Sequence, residues 1–265
     1  MKKTAIGMAI ATMMASPAFA ASFVNGGFDG PNAGDAGTTN GWVVAGSTYR
    51  NSVNNTALTP AFVIANAISG GVHSAVIDTN YVDPRVGAAL GTTVYGGSYA
   101  YRVEDTTTGG YASLIQQTVA NYTDADIFFA WKAVLLGAHG INDAATMRIT
   151  LNDDTDGVNL IDRTYNAASG GGGVDARFSL LNNNYYTADW QIEQLNISAA
   201  LSGHTFTLSV LASDCQPTGH WGYVYLDGFG AQIPDPGNGV PEPASLALVG
   251  LGLAGLAASR RRQNV

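Results

Sequence analysis

The sequence predicts an all-β fold, a single antiparallel β-sandwich, with a processing segment at each end. Three observations carry this reading. Charged residues are only 12% of the 265, while glycine reaches 33, a composition that favours short strands and turns over long amphipathic helices. Short apolar or alternating segments recur between Gly-, Asn- and Asp-rich pieces. With the two ends set aside, roughly 210 residues remain, enough for one continuous apolar core.

The chain opens with Lys2 and Lys3, a short apolar stretch over Ala5–Met14 and an A-x-A site at Ala18-Phe19-Ala20. These are the three parts of a secretory signal, so residues 1–20 are expected to be removed by cleavage after Ala20. The apolar run is too short to span a bilayer, and Pro17 interrupts its continuation.

Residues 21–233 are assigned to the sandwich. Strands are expected at Trp42–Val44, Ala61–Ile64, Ser74–Asp78, Ser98–Val103, Ser113–Val119, Ile127–Leu135, Ala145–Leu151, Gln191–Ile197, Thr205–Leu211 and Gly222–Phe229. The run Asn152-Asp153-Asp154-Thr155-Asp156-Gly157 has the oxygen donors and the glycine of the front half of an EF-hand loop. Its twelfth place is Arg163, where a bidentate glutamate is needed, so a hairpin turn between Met147–Leu151 and Val158–Ile161 is the expected form. The four glycines from Gly170 to Gly173 read as a loop tip, because no Gly-Lys-Ser/Thr follows to cradle a phosphate.

Residues 234–240 are a linker whose prolines and glycines hold neither helix nor strand. The tail, 241–265, contains Pro241-Glu242-Pro243, an apolar segment from Ala244 to Ala258 and the cluster Arg260-Arg261-Arg262. As a helix the segment would reach about 22 Å, short of the roughly 30 Å hydrocarbon core. The arginines would snorkel and keep the C-terminus cytoplasmic. A short, glycine-containing transmembrane helix of this kind suits a transient stop better than a lasting anchor.

The order of these parts at the extreme C-terminus resembles the PEP-CTERM sorting tail of Gram-negative bacteria. The resemblance implies recognition of Pro241, Glu242 and Pro243 by an exosortase, a membrane-embedded processing enzyme, with Arg260, Arg261 and Arg262 completing the signal. Cleavage there would release the domain to the cell surface or medium, often into an exopolysaccharide-rich layer. The alternative is an ordinary single-span anchor, which also faces the domain outward.

The middle resembles the galactose-binding-type jelly roll of secreted carbohydrate-binding modules. Phe23-Val24-Asn25-Gly26-Gly27-Phe28-Asp29 with Gly41-Trp42 resembles its opening strand, and Ser113–Val119 its central one. Trp190–Ile197, Thr205–Leu211 and Tyr223–Asp227 resemble its closing strands. In such folds a structural Ca²⁺ often sits where the first strand meets the last. The resemblance therefore implies carboxylates from Asp29 and Asp227 and a carbonyl from Asn25, since Ca²⁺ gathers about six to eight oxygens. The plain alternative is a turn at Asp29 and a strand end at Asp227.

Cys215 is the only cysteine, so no internal disulfide forms, and a small buried thiol is expected. His139, Asp214 and His220 would meet if the strand ending near Gly137 neighbours the last two strands. Two imidazoles and a carboxylate can ligate zinc or run acid–base chemistry, although their spacing alone does not enforce proximity. Trp42, Trp131, Trp190 and Trp221 lie in strand-like patterns and are expected in the core. Tyr81, Tyr95, Tyr185 and Tyr186 lie nearer loops and are candidate platforms for sugar rings.

The formal charge is −8, and cleavage of both ends would shed Lys2, Lys3 and the three tail arginines. An acidic surface with scattered basic residues argues against nucleic acid. No G-x-S-x-G, H-E-x-x-H, paired-cysteine or nucleotide fingerprint is present, so no enzyme is expected. The leading expectation is an exported, non-catalytic surface or matrix protein that meets exosortase and the secretion machinery, and the membrane only through its tail. A carbohydrate-binding module with a defined glycan is the alternative, and a secreted hydrolase with a carboxylate pair hidden among the aspartates is the third.

Overall fold

Two antiparallel sheets pack face to face in the computed structural model, which describes residues 22–30, 36–68, 73–234 and 236. The expected signal segment with Ala18 and Ala20, and the sorting residues Pro241, Glu242, Pro243, Arg260, Arg261 and Arg262, lie outside the described residues. The strands are β1 (Val43–Tyr49), β2 (Ala75–Asp78), β3 (Tyr99–Val103), β4 (Tyr111–Val119), β5 (Asp126–Leu136), β6 (Thr146–Asp153) and β7 (Val158–Asn166), then β8 (Ser179–Leu181), β9 (Asn184–Tyr186), β10 (Gln191–Asn196), β11 (Phe206–Ser213) and β12 (Gly222–Gly230). The five-stranded sheet runs β1-β4-β11-β6-β7, and the seven-stranded sheet runs β2-β3-β12-β5-β9-β8 with β10 also paired to β5. The all-β sandwich read from the sequence is therefore the fold.

Strand alternation puts one face of each sheet in the core. On β5, Ile127, Phe129, Trp131, Ala133 and Leu135 point inward, and on β11 Phe206, Leu208, Val210 and Ala212 do the same. Each large side chain so buried contributes roughly 1.5–3 kcal/mol. Phe229 joins the two layers, stacked on Phe129 at 4.9 Å and tilted against Trp42 at 4.6 Å.

The outer face of the seven-stranded sheet is also covered. Tyr223 and Tyr225 of β12 point outward and donate their hydroxyls to Asp83 at 2.8 and 2.7 Å, under a loop that brings Leu90 and Val94 against them. Lys132 of β5 is buried here and donates to the carbonyls of Leu90 and Thr92. Burial lowers its pKa to about 8.

Three expectations need correction. Ala61–Ile64 is not a strand but the middle of a short helix, α1 (Pro60–Ala65). Thr59 caps it by accepting from the Phe62 N–H, and Pro60 occupies the first turn, where its missing N–H costs nothing. The opening segment Phe23–Asp29 forms turns rather than a ladder strand. Its Val24 N–H and carbonyl pair instead with the side-chain amide of Gln117, at 2.9 and 3.1 Å. Finally, β8 and β9 were not expected. They form a hairpin closed by Asn182 and Asn183, whose φ values of 48° and 64° are those the tightest hairpin turn demands.

The Asn152–Gly157 run is a hairpin turn between β6 and β7. Asp153 is buried and accepts from the N–H groups of Thr155 and Asp156 while its other oxygen meets His204. Among the described residues no helix is long and apolar enough to cross a membrane.

Candidate functional site

Strand β12 carries a group of polar residues toward each of its ends. Near its C-terminal end, Asp227 is buried and its two oxygens accept from the N–H groups of Tyr95, Gly96 and Gly228. Asp29 approaches from the opening segment, its Oδ1 accepting from Ser98 and Tyr99. Gly27 lies between the two carboxylates: a Cβ there would stand 2.9 Å from Asp29 Oδ2 and 3.7 Å from Asp227 Oδ1. Burial pushes the Asp227 carboxyl up to about 8 against its three backbone donors, and the Asp29 charge adds to the rise. Two carboxylates converging on a space that only glycine leaves open fit a small hard cation. Asn25 serves differently. Its carbonyl accepts from Trp42 Nε1 and the Phe28 N–H, while its side chain binds the carbonyls of Thr38 and Asn40 and the N–H of Gly30.

At the other end of β12, the loop leaving β5 meets the loop between β11 and β12. The Leu136 N–H donates to the Trp221 carbonyl at 2.9 Å, which brings His139 beside His220. His139 Nε2 and His220 Nδ1 are 3.1 Å apart, and Cys215 Sγ lies 3.3 Å from the same Nδ1. The third member of the group is thus Cys215 and not Asp214. The Asp214 carboxylate is turned away, buried and held by the N–H groups of Gly110, Tyr111 and Gly222. Burial raises the Asp214 carboxyl to about 8, with Glu104 adding to the shift. Cys215 is fully buried, as expected, and burial pushes its thiol up, although the N–H groups of His220 and Gly219 pull the other way. Burial and the neighbouring His139 lower the pKa of His220.

A third feature lies on the outer face of the five-stranded sheet, beside α1. A cleft of about 440 Å³ is lined there by Asn55, Asn142, Arg148, Asp162, Thr164 and Asn166, among others. Register explains the grouping: Arg148 faces Thr164 across β6 and β7, and Thr146 faces Asn166. Arg148 binds Asp162 through two N–H groups, at 2.7 and 2.5 Å, and also donates to the Leu58 carbonyl. The buried Oδ1 of Asn166 has no hydrogen-bond partner.

The aromatic residues distribute differently from the expectation. Trp42 and Trp131 are buried, but Trp190 and Trp221 are half-buried. None of the four candidate platform tyrosines is exposed: Tyr81, Tyr95 and Tyr185 are half-buried and Tyr186 is buried. Among the described residues Tyr49 is the exposed tyrosine, its ring 4.3 Å from that of Tyr111.

Residues 239–262 match the PEP-CTERM protein-sorting motif. The chain therefore carries a sorting signal of exported proteins, in the stretch where the sequence places one. No curated protein matches the chain. Among solved structures, the chain is similar to TmCBM61, solved with β-1,4-galactotriose, at 12% identity and a TM-score of 0.41, covering 78% of this chain and 94% of that one. It is similar to CBM27-1 of Caldicellulosiruptor saccharolyticus, solved with mannohexaose, at 12% identity and a TM-score of 0.34, covering 64% and 89%. A third likeness is to the K2 cleaved adhesin domain of Lys-gingipain, at 12% identity and a TM-score of 0.36, covering 79% and 96%.

Proposed function

We propose that this protein is an exosortase substrate, exported from a Gram-negative cell and freed at its PEP motif. The released sandwich acts as a non-catalytic surface or matrix component of the exopolysaccharide layer. The observation that carries this reading is the sorting-motif match over 239–262. The A-x-A site at Ala18–Ala20 supports it. Intact mass of the protein from its native host tests it. A species starting at Ala21 and ending near Pro241–Pro243, lost in Glu242→Ala, is expected. A species running on to Val265 would reduce the tail to a plain anchor.

The outer-face cleft favours one second reading, a glycan ligand. Amide, hydroxyl and guanidinium groups from Asn55, Asn142, Thr164 and Arg148 line it, and such groups hydrogen-bond sugar hydroxyls. Saturable binding on a glycan array that Arg148→Ala abolishes would support it, and an array without binding would remove it. In either reading a structural Ca²⁺ is assigned to the space between Asp29 and Asp227, where it would neutralise two carboxylates and tie the opening segment to β12.

A further inference from the structure

From the arrangement of three side chains at the N-terminal end of β12, we infer that Cys215, His139 and His220 form a Zn²⁺-binding site with its fourth position open to solvent. One ligand atom from each residue lies within 4.8 Å of the others. The nitrogen–nitrogen distance is 3.1 Å and the nitrogen–sulfur distance is 3.3 Å. Zn–N and Zn–S bonds of about 2.05 and 2.3 Å at tetrahedral angles require about 3.3 and 3.6 Å between ligands, so both of these distances lie within a few tenths of an ångström of what the ion needs.

The hydrogen bonding points the same way. His220 Nδ1 has either one proton or one lone pair, yet faces both His139 Nε2 and Cys215 Sγ. One bond cannot serve two partners in full, whereas an ion between the three atoms serves all of them. On binding, the Cys215 thiol gives its proton to solvent and the sulfur donates the freed electron pair to the ion.

The backbone holds the group in place at some cost. Cys215 and His220 close a short loop, with the Cys215 N–H donating to the His220 carbonyl at 2.8 Å and the Thr218 N–H to the Cys215 carbonyl at 3.1 Å. Within it Thr218 adopts φ 73°, and His139 on the facing loop adopts φ 63°. A β-branched residue in the left-handed region is a genuine outlier, and strain of this kind gathers at ligand clamps. Both histidines are half-buried while the thiol is fully buried, which leaves an approach from solvent on the imidazole side. Sulfur and imidazole donors select a borderline-soft cation over Ca²⁺ or Mg²⁺.

Two other groups of acidic and imidazole side chains lack sulfur and contain two carboxylates each: His73 with Glu104 and Asp105, and His204 with Asp153 and Asp156. They serve as internal controls. The experiment is equilibrium dialysis of the tag-free full-length chain against Zn²⁺ with metal analysis, followed by Co²⁺ substitution and absorption spectroscopy. One equivalent of Zn²⁺ and a tetrahedral Co²⁺ spectrum with a thiolate charge-transfer band are expected. Cys215→Ser should remove that band. His139→Gln, on a surface loop, should weaken Zn²⁺ binding by more than the roughly 10–100-fold that loss of an outer-shell partner costs. His204→Gln should bind as the wild type does. If Cys215→Ser does not fold, His139→Gln alone decides. No retained Zn²⁺, a Co²⁺ spectrum without the thiolate band, or unchanged binding in His139→Gln would overturn the assignment.

Discussion

Arg50 and Asp214 are buried neighbours, yet the guanidinium binds the Asp214 backbone carbonyl and leaves its carboxyl group to backbone N–H donors. Arg50 Nη1 also reaches the Ser213 hydroxyl and the Ala144 carbonyl, and Nη2 reaches the Val53 carbonyl and Asn55 Oδ1. Burial lowers the Arg50 pKa to about 10. One cation therefore ties three chain segments together, its own loop through Val53 and Asn55, Ala144, and Ser213–Asp214, by charge-assisted hydrogen bonds to neutral acceptors. Arg50→Ala should cost about 3–5 kcal/mol, the range for breaking a buried charged network. Arg50→Lys should recover little, because an ammonium cannot span both sets of acceptors. Denaturant unfolding of the two variants checks this.

Calcium should stabilise the fold. At 100 times its Kd, an ion bound only by the native state adds about 2.7 kcal/mol, or roughly 5–10 °C in Tm for a domain of this size. Excess chelator should remove that increment and added Ca²⁺ restore it. Asp227→Asn should abolish the response. Gly27→Ala should blunt it as well, since its methyl group enters the space between the carboxylates. A wild-type Tm indifferent to chelator would discard the site.

His73 should make stability depend on pH. Its Nδ1 lies 2.7 Å from Glu104 and 3.3 Å from Asp105, and the hydrogen bond to Glu104 raises its pKa against partial burial. The folded pKa exceeds the unfolded value of about 6.5, so this contribution is full below that pH and is lost as pH rises through the folded value. Wild type minus His73→Gln isolates it. The difference should be about 1 kcal/mol or less at about pH 6 and fall away toward pH 8. Thermal melts of the pair at both pH values would show a constant gap if the imidazole does not titrate in this way.

The parts of this molecule that follow strand alternation were readable from residues. β5 and β11 turn every second side chain into the core between the sheets, and their positions match the expected segments closely. What escaped the reading depends on competition or on distance. Phe62, Val63 and Ile64 favour a strand by propensity, but the Thr59–Pro60 start signal wins and builds α1. Val24 pairs with a side-chain amide 93 positions away, a contact that no local pattern encodes. The proximity of His139 to His220 depends on β5 lying beside β12, so it belongs to the topology. Cys215 joins them in place of Asp214 because adjacent residues of an extended chain point to opposite sides.

The two ends of the domain leave it together. The Phe229 N–H donates to the Gly26 carbonyl at 3.0 Å, and the Tyr95 hydroxyl donates to the Pro234 carbonyl at 3.1 Å. The opening segment and the start of the linker therefore share one pole of the sandwich. Gly222, which opens the last strand two positions after His220, lies five positions before Asp227, roughly 15 Å toward the opposite pole. The proposed cleavage points, after Ala20 and near Pro241–Pro243, lie in sequence beyond the segments that close the core, so a cut at either would open none of the strands described.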